Sequence, residues 1–572
     1  MDETSLLQYF LFLSAVALLV KPLGQYIADT LQRTPSKADI VFEPLEALTY
    51  RLAGIDARQG MNWKEYALSF IWLTMGGALF LYAVMRLQVF LPWFYPQYMT
   101  TPISPDLAMN TAISFATTTT WQAYAGETTM SYVSQMLALV CGNFLGAAAS
   151  IAIGGAFIRG FSNSCNEDLG NFYVDFFRAL FRILLPASMI GSLFLVAQGV
   201  PMNFNQYTSV TSLEGNHQII AQGPVAALEF IKNLGTNGGG FFNVNGAHPY
   251  ANPTALTNFI GMLAIVVLPA AFTYTFGTMT DRKRDGWTLF VTMVVLFTIG
   301  LFWCQREELL GNPNINNVVQ LSSSENMEGK ETRFGIAQSV LAAETTSVGS
   351  TGSYNSMHDS FTPIGGMVPL VNMLVGQFIF GGIGTGIYSM IVWALLTMFV
   401  VGLMVGRTPE YICHKIGPLE IKLVTLYTLA TPMIVLVLTA IALVTRDGLA
   451  GLTTNTGPHG LTEIIYAYAS SNANNGQNFA GLSANTPFYN ITTAMAMMVG
   501  RFMLAVPVLA LAGQFALQPT RRRSIGMMPT DTPLFVVVLI STIVIMGGLS
   551  YCPALILGPI VENFVMHNGL LF

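Results

Sequence analysis

The chain has 572 residues, of which 52% are hydrophobic and only 10% charged, with a mean hydropathy of +0.54 and a formal net charge of −5. So few charged groups cannot cover a soluble surface of this size, which excludes soluble and disordered classes and leaves a polytopic membrane protein. Five scattered cysteines (Cys141, Cys165, Cys304, Cys413 and Cys552) contain no CxxC pair. That pattern indicates neither a disulfide framework nor a metal ribbon, and the five read as buried small hydrophobes.

The first apolar run, LLQYFLFLSAVALLV, follows Asp2 and Glu3, with no basic n-region and no small-residue cleavage site. It reads as a retained first span, so residues 1–60 comprise a transmembrane helix and a cytoplasmic loop. Residues 61–160 contain FIWLTMGGALFLYAV, the polar segment SFATTTTWQAYAGETT and a further span. Residues 161–281 repeat that plan around NLGTNGGGFFNVNG, with GMLAIVVLPAAFTYTF behind it. Residues 282–408 open on WTLFVTMVVLFTIGLFW and carry TTSVGSTGSYNSMHDS, and residues 409–524 carry SSNANNGQNFAGLSAN. Residues 525–572 add a last transmembrane helix, LFVVVLISTIVIMGGL. With Thr119, Gly238, Gly352 and Gly476 as centres, the polar segments are separated by 119, 114 and 124 residues. Such spacing predicts an all-α membrane protein of ten helices, in which four span, pore-loop, span modules surround a pseudo-fourfold pore.

Charge sets an orientation. With ten crossings and Met1 outside, the inner loops collect most of the 25 basic residues, including Arg282, Lys283 and Arg284, Arg407, and Arg521, Arg522 and Arg523. The bias places both termini outside.

Non-helical backbone at membrane depth survives only where protein or water surrounds it. Four such segments on one axis can turn carbonyl oxygens inward and replace the hydration shell of a cation. Glycine permits both the close approach and the φ > 0 angles this requires. TNGGG therefore reads as one quarter of an ion selectivity filter, whereas a single glycine-rich loop alone would read as an outer turn.

Two features lie below. The stretch VPLVNMLVGQFIFGGIGTGIYSMIVWALLTMFVVGLMVGR is too long for one crossing and is interrupted by Gly381, Gly382, Gly384 and Gly386. Those glycines predict either a broken helix acting as a gate or close packing of helices. Arg501 lies within a span, where an ionisable group costs enough to suggest function. Its charge either shapes an ion path or pairs with helix C-termini.

Other chemistry is disfavoured. The chain has no GxxxxGK[ST] loop for nucleotide and no DKTG-type phosphorylation segment. Its six histidines (His217, His248, His358, His414, His459 and His567) fall outside the spans without ligand spacing, which argues against haem or copper. His358 in MHDS reads as structural hydrogen bonding near the filter. A proton-pumping or redox enzyme is disfavoured because no chain of intramembrane histidines and carboxylates is visible.

The motifs LGTNGGGFFN, HPYANPTALTN, NMEGKETRFG, MHDSFTPIGGMVP, GRTPEY and FAGLSANTPF resemble those of the KdpA family across essentially the whole chain. That family supplies the potassium-translocating subunit of the bacterial Kdp potassium-transporting ATPase and is related to the Trk, Ktr and HKT transporters. The resemblance implies ten spans and a potassium filter. Its strands would fall on Thr117 to Thr120 (with Thr118, Thr119 and Thr120 as ligands), on Thr236, Asn237 and Gly238, on Ser350, Thr351 and Gly352, and on Asn474, Asn475 and Gly476. Gln122, Gly382, Gly384 and Arg501 would line the pore or its gate. TTTTWQ departs from the family's TNTNWQ, and Gln377 stands where some relatives carry a carboxylate. The resemblance further implies no catalytic site and no cofactor on this chain, with K+ as cargo and ATP and Mg2+ used by a partner. Expected partners are the P-type ATPase subunit KdpB, KdpC and a small KdpF helix in the lipid of a bacterial inner membrane, and no nucleic acid. The alternative is a stand-alone Trk- or Ktr-like channel or cotransporter. NMEGKETRFG and GRTPEY weigh against it, because a free-standing pore has no need of them.

Overall fold

The computed structural model describes residues 3–90, 99, 101–315, 324–406, 408–519 and 528–569. Arg407 and Arg521 to Arg523, expected in inner loops, lie outside the described residues. Among the described residues ten helices are long and apolar enough to cross a membrane. Numbered as spans 1 to 10 in chain order, they are Glu3–Gln32, Trp63–Phe90, Ser134–Ser162, Phe172–Ala197, Ala255–Met279, Lys283–Ile315, Thr385–Val405, Pro418–Val444, Pro487–Leu517 and Pro533–His567. The only sheets among the described residues are two hairpins, Thr208–Thr211 with His217–Ile220 and Glu410–Tyr411 with His414–Lys415. The expected all-α polytopic class is therefore the observed one.

Four shorter helices are inserted between spans. Pro105–Ala116 lies between spans 2 and 3, Val225–Leu234 between 4 and 5, Gly335–Val348 between 6 and 7, and Gly457–Asn472 between 8 and 9. Their sequences explain their starts. Ser104 accepts from the Leu107 N–H at the first, with Pro105 at the first helical position, where its missing N–H costs nothing. The spans sort by burial around them. Spans 3, 5, 7 and 9, each following an inserted helix, are buried over 72%, 67%, 67% and 61% of their apolar windows, against 22% for spans 1 and 10. The molecule is thus an inner ring of four spans and four inserted helices wrapped by outer spans that face lipid.

Small residues let the inner ring close. A Cβ on Gly154 of span 3 would sit 2.7 Å from the Cα of Gly384, and one on Gly160 would sit 2.6 Å from the Ala512 carbonyl of span 9. Such backbone approach is how helices associate where lipid removes the hydrophobic drive. Of the cysteines, Cys304 and Cys413 are buried, but Cys141, Cys165 and Cys552 are exposed. Burial of all five does not hold, because Cys141 and Cys552 occupy outward faces of spans, where a thiol is compatible with lipid tails.

Polar ties hold the ring at the end remote from the inserted helices. Arg159 at the end of span 3 donates to both oxygens of Asp175 at 2.6 and 2.8 Å, and the Tyr66 hydroxyl of span 2 donates to Asp175 at 3.0 Å. Arg159 also donates to the carbonyls of Leu169 and Leu31, so one guanidinium joins span 1, span 3 and the segment leading into span 4. Asp175→Ala strands that guanidinium and is expected to cost about 3–5 kcal/mol, whereas Tyr66→Phe removes one hydrogen bond and costs about 1 kcal/mol. Thermal unfolding of the purified protein checks the order; equal losses for the two variants would show that the ion pair is not the tie.

Candidate functional site

Each inserted helix ends in an extended segment of the same backbone geometry. The helices stop at Ala116, Leu234, Val348 and Asn472, and two residues on a left-handed residue reverses the chain: Thr118 (φ 66°), Thr236 (φ 51°), Ser350 (φ 52°) and Asn474 (φ 52°). The next N–H then folds back onto the helix it has just left. Thr119 donates to the Ser114 carbonyl (2.9 Å), Asn237 to Lys232 (2.9 Å), Thr351 to Thr346 (3.2 Å) and Asn475 to Ser470 (2.9 Å). One bond, spanning five residues, recurs four times. It satisfies helix-end carbonyls that would otherwise be orphaned at membrane depth.

The four segments close on one another as a ring. The Thr120 hydroxyl donates to the Asn237 carbonyl at 2.6 Å, and the Gly352 N–H donates to the same oxygen at 3.3 Å. Gly238 and Gly352 pair as a parallel bridge. The Ser350 hydroxyl donates to the Asn474 carbonyl at 3.1 Å, and Asn474 returns to the first segment by donating to the Thr119 hydroxyl at 2.9 Å. Glycine is demanded here by space. A Cβ on Gly476 would overlap the Thr119 carbonyl oxygen, one on Gly238 would run into the Gly352 backbone, and one on Gly352 would lie 2.9 Å from the Asn475 carbonyl oxygen. The first segment places Thr120 where the others place glycine, and its hydroxyl fills that space with the bond to Asn237.

Side chains at the third position point away from the ring. Asn237 donates to the Asn143 carbonyl of span 3, Asn475 to the Thr346 carbonyl, and Thr119 shares a 2.9 Å bond with the Thr117 hydroxyl. The ring itself is thus built of backbone, with the Asn237 oxygen shared between the Thr120 hydroxyl and the Gly352 N–H. The third segment differs, because its Thr351 carbonyl is held by the Thr346 hydroxyl behind it, and Gly352 lacks the positive φ of Gly238 (94°) and Gly476 (89°).

The structure brings Thr118, Thr119, Thr120, Asn237, Gly238, Thr351, Gly352, Asn475 and Gly476 into this one ring. Gln122, expected in the pore or its gate, follows the first segment and lies against the second. Gln122 accepts from the Gly240 N–H at 2.7 Å and donates to the Gly240 carbonyl at 3.2 Å and the Tyr124 hydroxyl at 2.9 Å, tying the first segment to the second.

Beneath the ring the apolar stretch before span 7 is broken. Helix Pro363–Leu374 ends, residues 375–384 run non-helically through Gly376, Gln377 and Phe380 at positive φ, and span 7 resumes at Thr385. This loop touches the ring. Ile383 N–H donates to the Thr236 hydroxyl at 2.8 Å, and a Cβ on Gly382 would lie 3.2 Å from the Ser350 Cβ. Gly384, at φ 76°, presses against the Ser150 carbonyl of span 3. Gly382 and Gly384 thus sit both at a helix break and at close contacts. Gln377 donates to the Ser347 carbonyl at 3.1 Å.

A cavity of about 40 Å³ separates ring and loop, lined by Thr118, Ser350, Asn474, Gln377, Thr385 and Arg501 among others. Arg501 is 4% exposed and donates to the Ser150 hydroxyl (2.9 Å), the Thr118 hydroxyl (3.2 Å) and the Gly146 carbonyl (3.2 Å), over the Phe70 ring. No carboxylate lies within ion-pair distance of it among the described residues.

Sequence reasoning missed the charged pairs behind the ring. Lys232, wholly buried, meets Glu229 at 2.7 Å and donates to Asn245 at 2.6 Å; Asn245 in turn donates to the Gly239 and Gly352 carbonyls. Lys330 of NMEGKETRFG meets the equally buried Glu308 at 2.6 Å, and Arg333 of the same motif donates to the Ala247 carbonyl at 2.6 Å. That motif is a brace between span 6 and the outer loop of the second module. The i,i+3 spacing of Glu229 and Lys232 was the one available signal. His358 accepts or donates at 3.0 Å to the Tyr466 hydroxyl, a structural bond beside the fourth inserted helix.

The family model described as "Potassium-transporting ATPase A subunit" matches residues 10–564. Among curated proteins, a "Potassium-transporting ATPase potassium-binding subunit" of Granulibacter bethesdensis is 48% identical over 98% of both chains. Proteins of the same description from Paramagnetospirillum magneticum and Solibacter usitatus are 48% and 47% identical over the whole of both chains. The chain belongs to the KdpA family of potassium-transporting ATPase A subunits.

Proposed function

We propose that this chain is the potassium-binding, channel-like subunit of an ATP-driven potassium uptake complex. The observation that carries the reading is the ring, in which three glycines leave no room for a Cβ and third-position side chains are tied back into the wall. A dehydrated cation entering it would exchange water for backbone carbonyls of Thr119, Asn237 and Asn475 and hydroxyls of the threonine quarter, displacing the bond that Thr120 makes to Asn237. Four helix C-termini converge on the ring, each bringing roughly half a negative charge, so the scaffold favours a cation without a carboxylate. The curated relatives are named as potassium-binding subunits, which supports potassium as the cargo and a complex rather than a stand-alone channel.

Below the ring the ion meets Arg501. At an effective dielectric near 20, a unit charge about 4–8 Å away raises its energy by about 2–4 kcal/mol, enough to keep it from resting in the cavity. The 375–384 loop then closes the direct route, so onward movement depends on displacing it or passing beside it. ATP hydrolysis, with its Mg2+, belongs to a P-type partner, KdpB, with KdpC and KdpF completing the assembly. The basic inner loops fit a bacterial inner membrane with both termini outside.

Three outcomes test the reading in the reconstituted complex. Gly476→Ala should weaken half-saturation by potassium at least tenfold and reduce discrimination against sodium; unchanged values for both would remove the fourth segment from the filter. Arg501→Met keeps length and apolar stem while deleting the charge, and should shift half-saturating potassium or turnover with assembly preserved; normal transport would make the residue structural. Gly384→Ala strains a left-handed residue against the Ser150 carbonyl by about 1 kcal/mol or more, and should change turnover or ATPase coupling while leaving ion selectivity alone. Altered selectivity with normal turnover would argue against a gate.

A further inference from the structure

A second polar site lies on the side of the molecule from which the inserted helices enter. His459 and Glu463 occupy the first two turns of the fourth inserted helix, Asp359 lies in the turn His358–Ser360 after the third segment, and Glu562 lies near the end of span 10. His459 Nε2 is 2.9 Å from Asp359 Oδ1 and 3.8 Å from Glu463 Oε1, and its Nδ1 is 2.7 Å from Glu562 Oε1. Ligand atoms of Asp359, His459 and Glu463 all fall within 4.8 Å of one another.

Two independent observations point to a cation. Glu463 is fully buried; its Oε1 accepts from Asn455 at 2.7 Å, but its Oε2 has no hydrogen-bond partner. Three carboxylates also share a single imidazole, and among the described residues no Lys or Arg forms an ion pair with any of them. Three carboxylates around one imidazole leave net negative charge at the site, which a bound cation would offset.

We propose that Asp359, His459 and Glu463 bind one divalent transition-metal ion, with Glu562 as the carboxylate that orients the histidine. A metal about 2.1 Å from each of three donors holds them about 3–3.5 Å apart, so Asp359 already stands at that spacing from His459 (2.9 Å), and Glu463, at 3.8 Å, would move a few tenths of an ångström inward on binding. One imidazole nitrogen with two carboxylate oxygens suits zinc or manganese better than the all-oxygen preference of calcium or magnesium. Glu562 on Nδ1 leaves Nε2 to the metal, the outer-shell arrangement that metal-binding histidines commonly show. The ring of Phe479, three residues beyond Gly476, stacks on His459 with centroids 5.9 Å apart. Metal binding would therefore fasten span 10 and the turn after the third segment to the fourth module beside the ring.

Zinc titration of the purified, chelator-treated complex, read by competition with a coloured zinc indicator, tests this. We expect one site per chain that is lost in His459→Gln and in Glu463→Gln, weakened about 10–100-fold in Glu562→Gln, and not filled by magnesium. If a substituted complex fails to assemble, Glu562→Gln, which leaves all three donors in place, decides. Zinc stoichiometry and affinity identical in the unsubstituted and Glu562→Gln complexes, or no zinc-binding step in the unsubstituted complex at pH 8, would overturn the assignment.

Discussion

Everything in this molecule depends on a way to keep unpaired backbone inside a membrane. Each inserted helix must end at a depth where water cannot satisfy its last carbonyls, and an orphaned group there costs several kcal/mol. The recurring solution is a left-handed residue followed by an N–H returned to the carbonyl five positions earlier, as in Thr118 with Thr119 and Ser114. That turn does two jobs at once. It closes the helix end, and it brings the backbone of the next residues against that of the neighbouring segments, with the Asn237 and Asn475 side chains tied back into the wall.

The close approach this demands then sets the rest of the architecture. Segments near enough for Gly238 to bridge Gly352 require spans that are themselves near, hence Gly154 against Gly384 and Gly160 against Ala512. Charges are arranged around the ring by sign. Lys232 is matched by Glu229 and Lys330 by Glu308 in the wall, whereas Arg501 beneath the ring has only neutral partners. An unmatched cation is costly in such a place, and its position under a ring suited to cations is what gives that cost a purpose.

Much of this was legible in the sequence, for reasons that differ by residue. The ten spans follow from the long apolar runs, and the inserted segments stand out because stretches rich in Gly, Asn, Thr and Ser recur between those runs at separations of 119, 114 and 124 residues. Gly238 and Gly476 are readable because only glycine tolerates both the positive φ and the contact with a neighbouring backbone. The break before span 7 announces itself through Gly381 to Gly386, although it begins earlier, at Val375 and Gly376, ahead of the cluster that the sequence singles out. The third segment's turned Thr351 carbonyl was not legible, since its serine, threonine and glycine look like those of its neighbours. Nor was the contact of Gln122 with the second segment, which depends on where Gly240 arrives from another module. The grouping of His459 with Asp359 and Glu562 was hidden for the same reason: its members are about 100 residues apart along the chain.

The central claim is that backbone oxygens of the ring hold the transported ion. Diffraction or electron imaging of the assembled complex in rubidium or thallium, ions that mimic potassium and are visible by their scattering, tests it most directly. The account predicts ion density on the axis, within coordinating distance of the carbonyls of Thr119, Asn237 and Asn475, and none resting in the cavity beside Arg501. Density confined to that cavity, or a ring that stays closed at saturating ion, would contradict it.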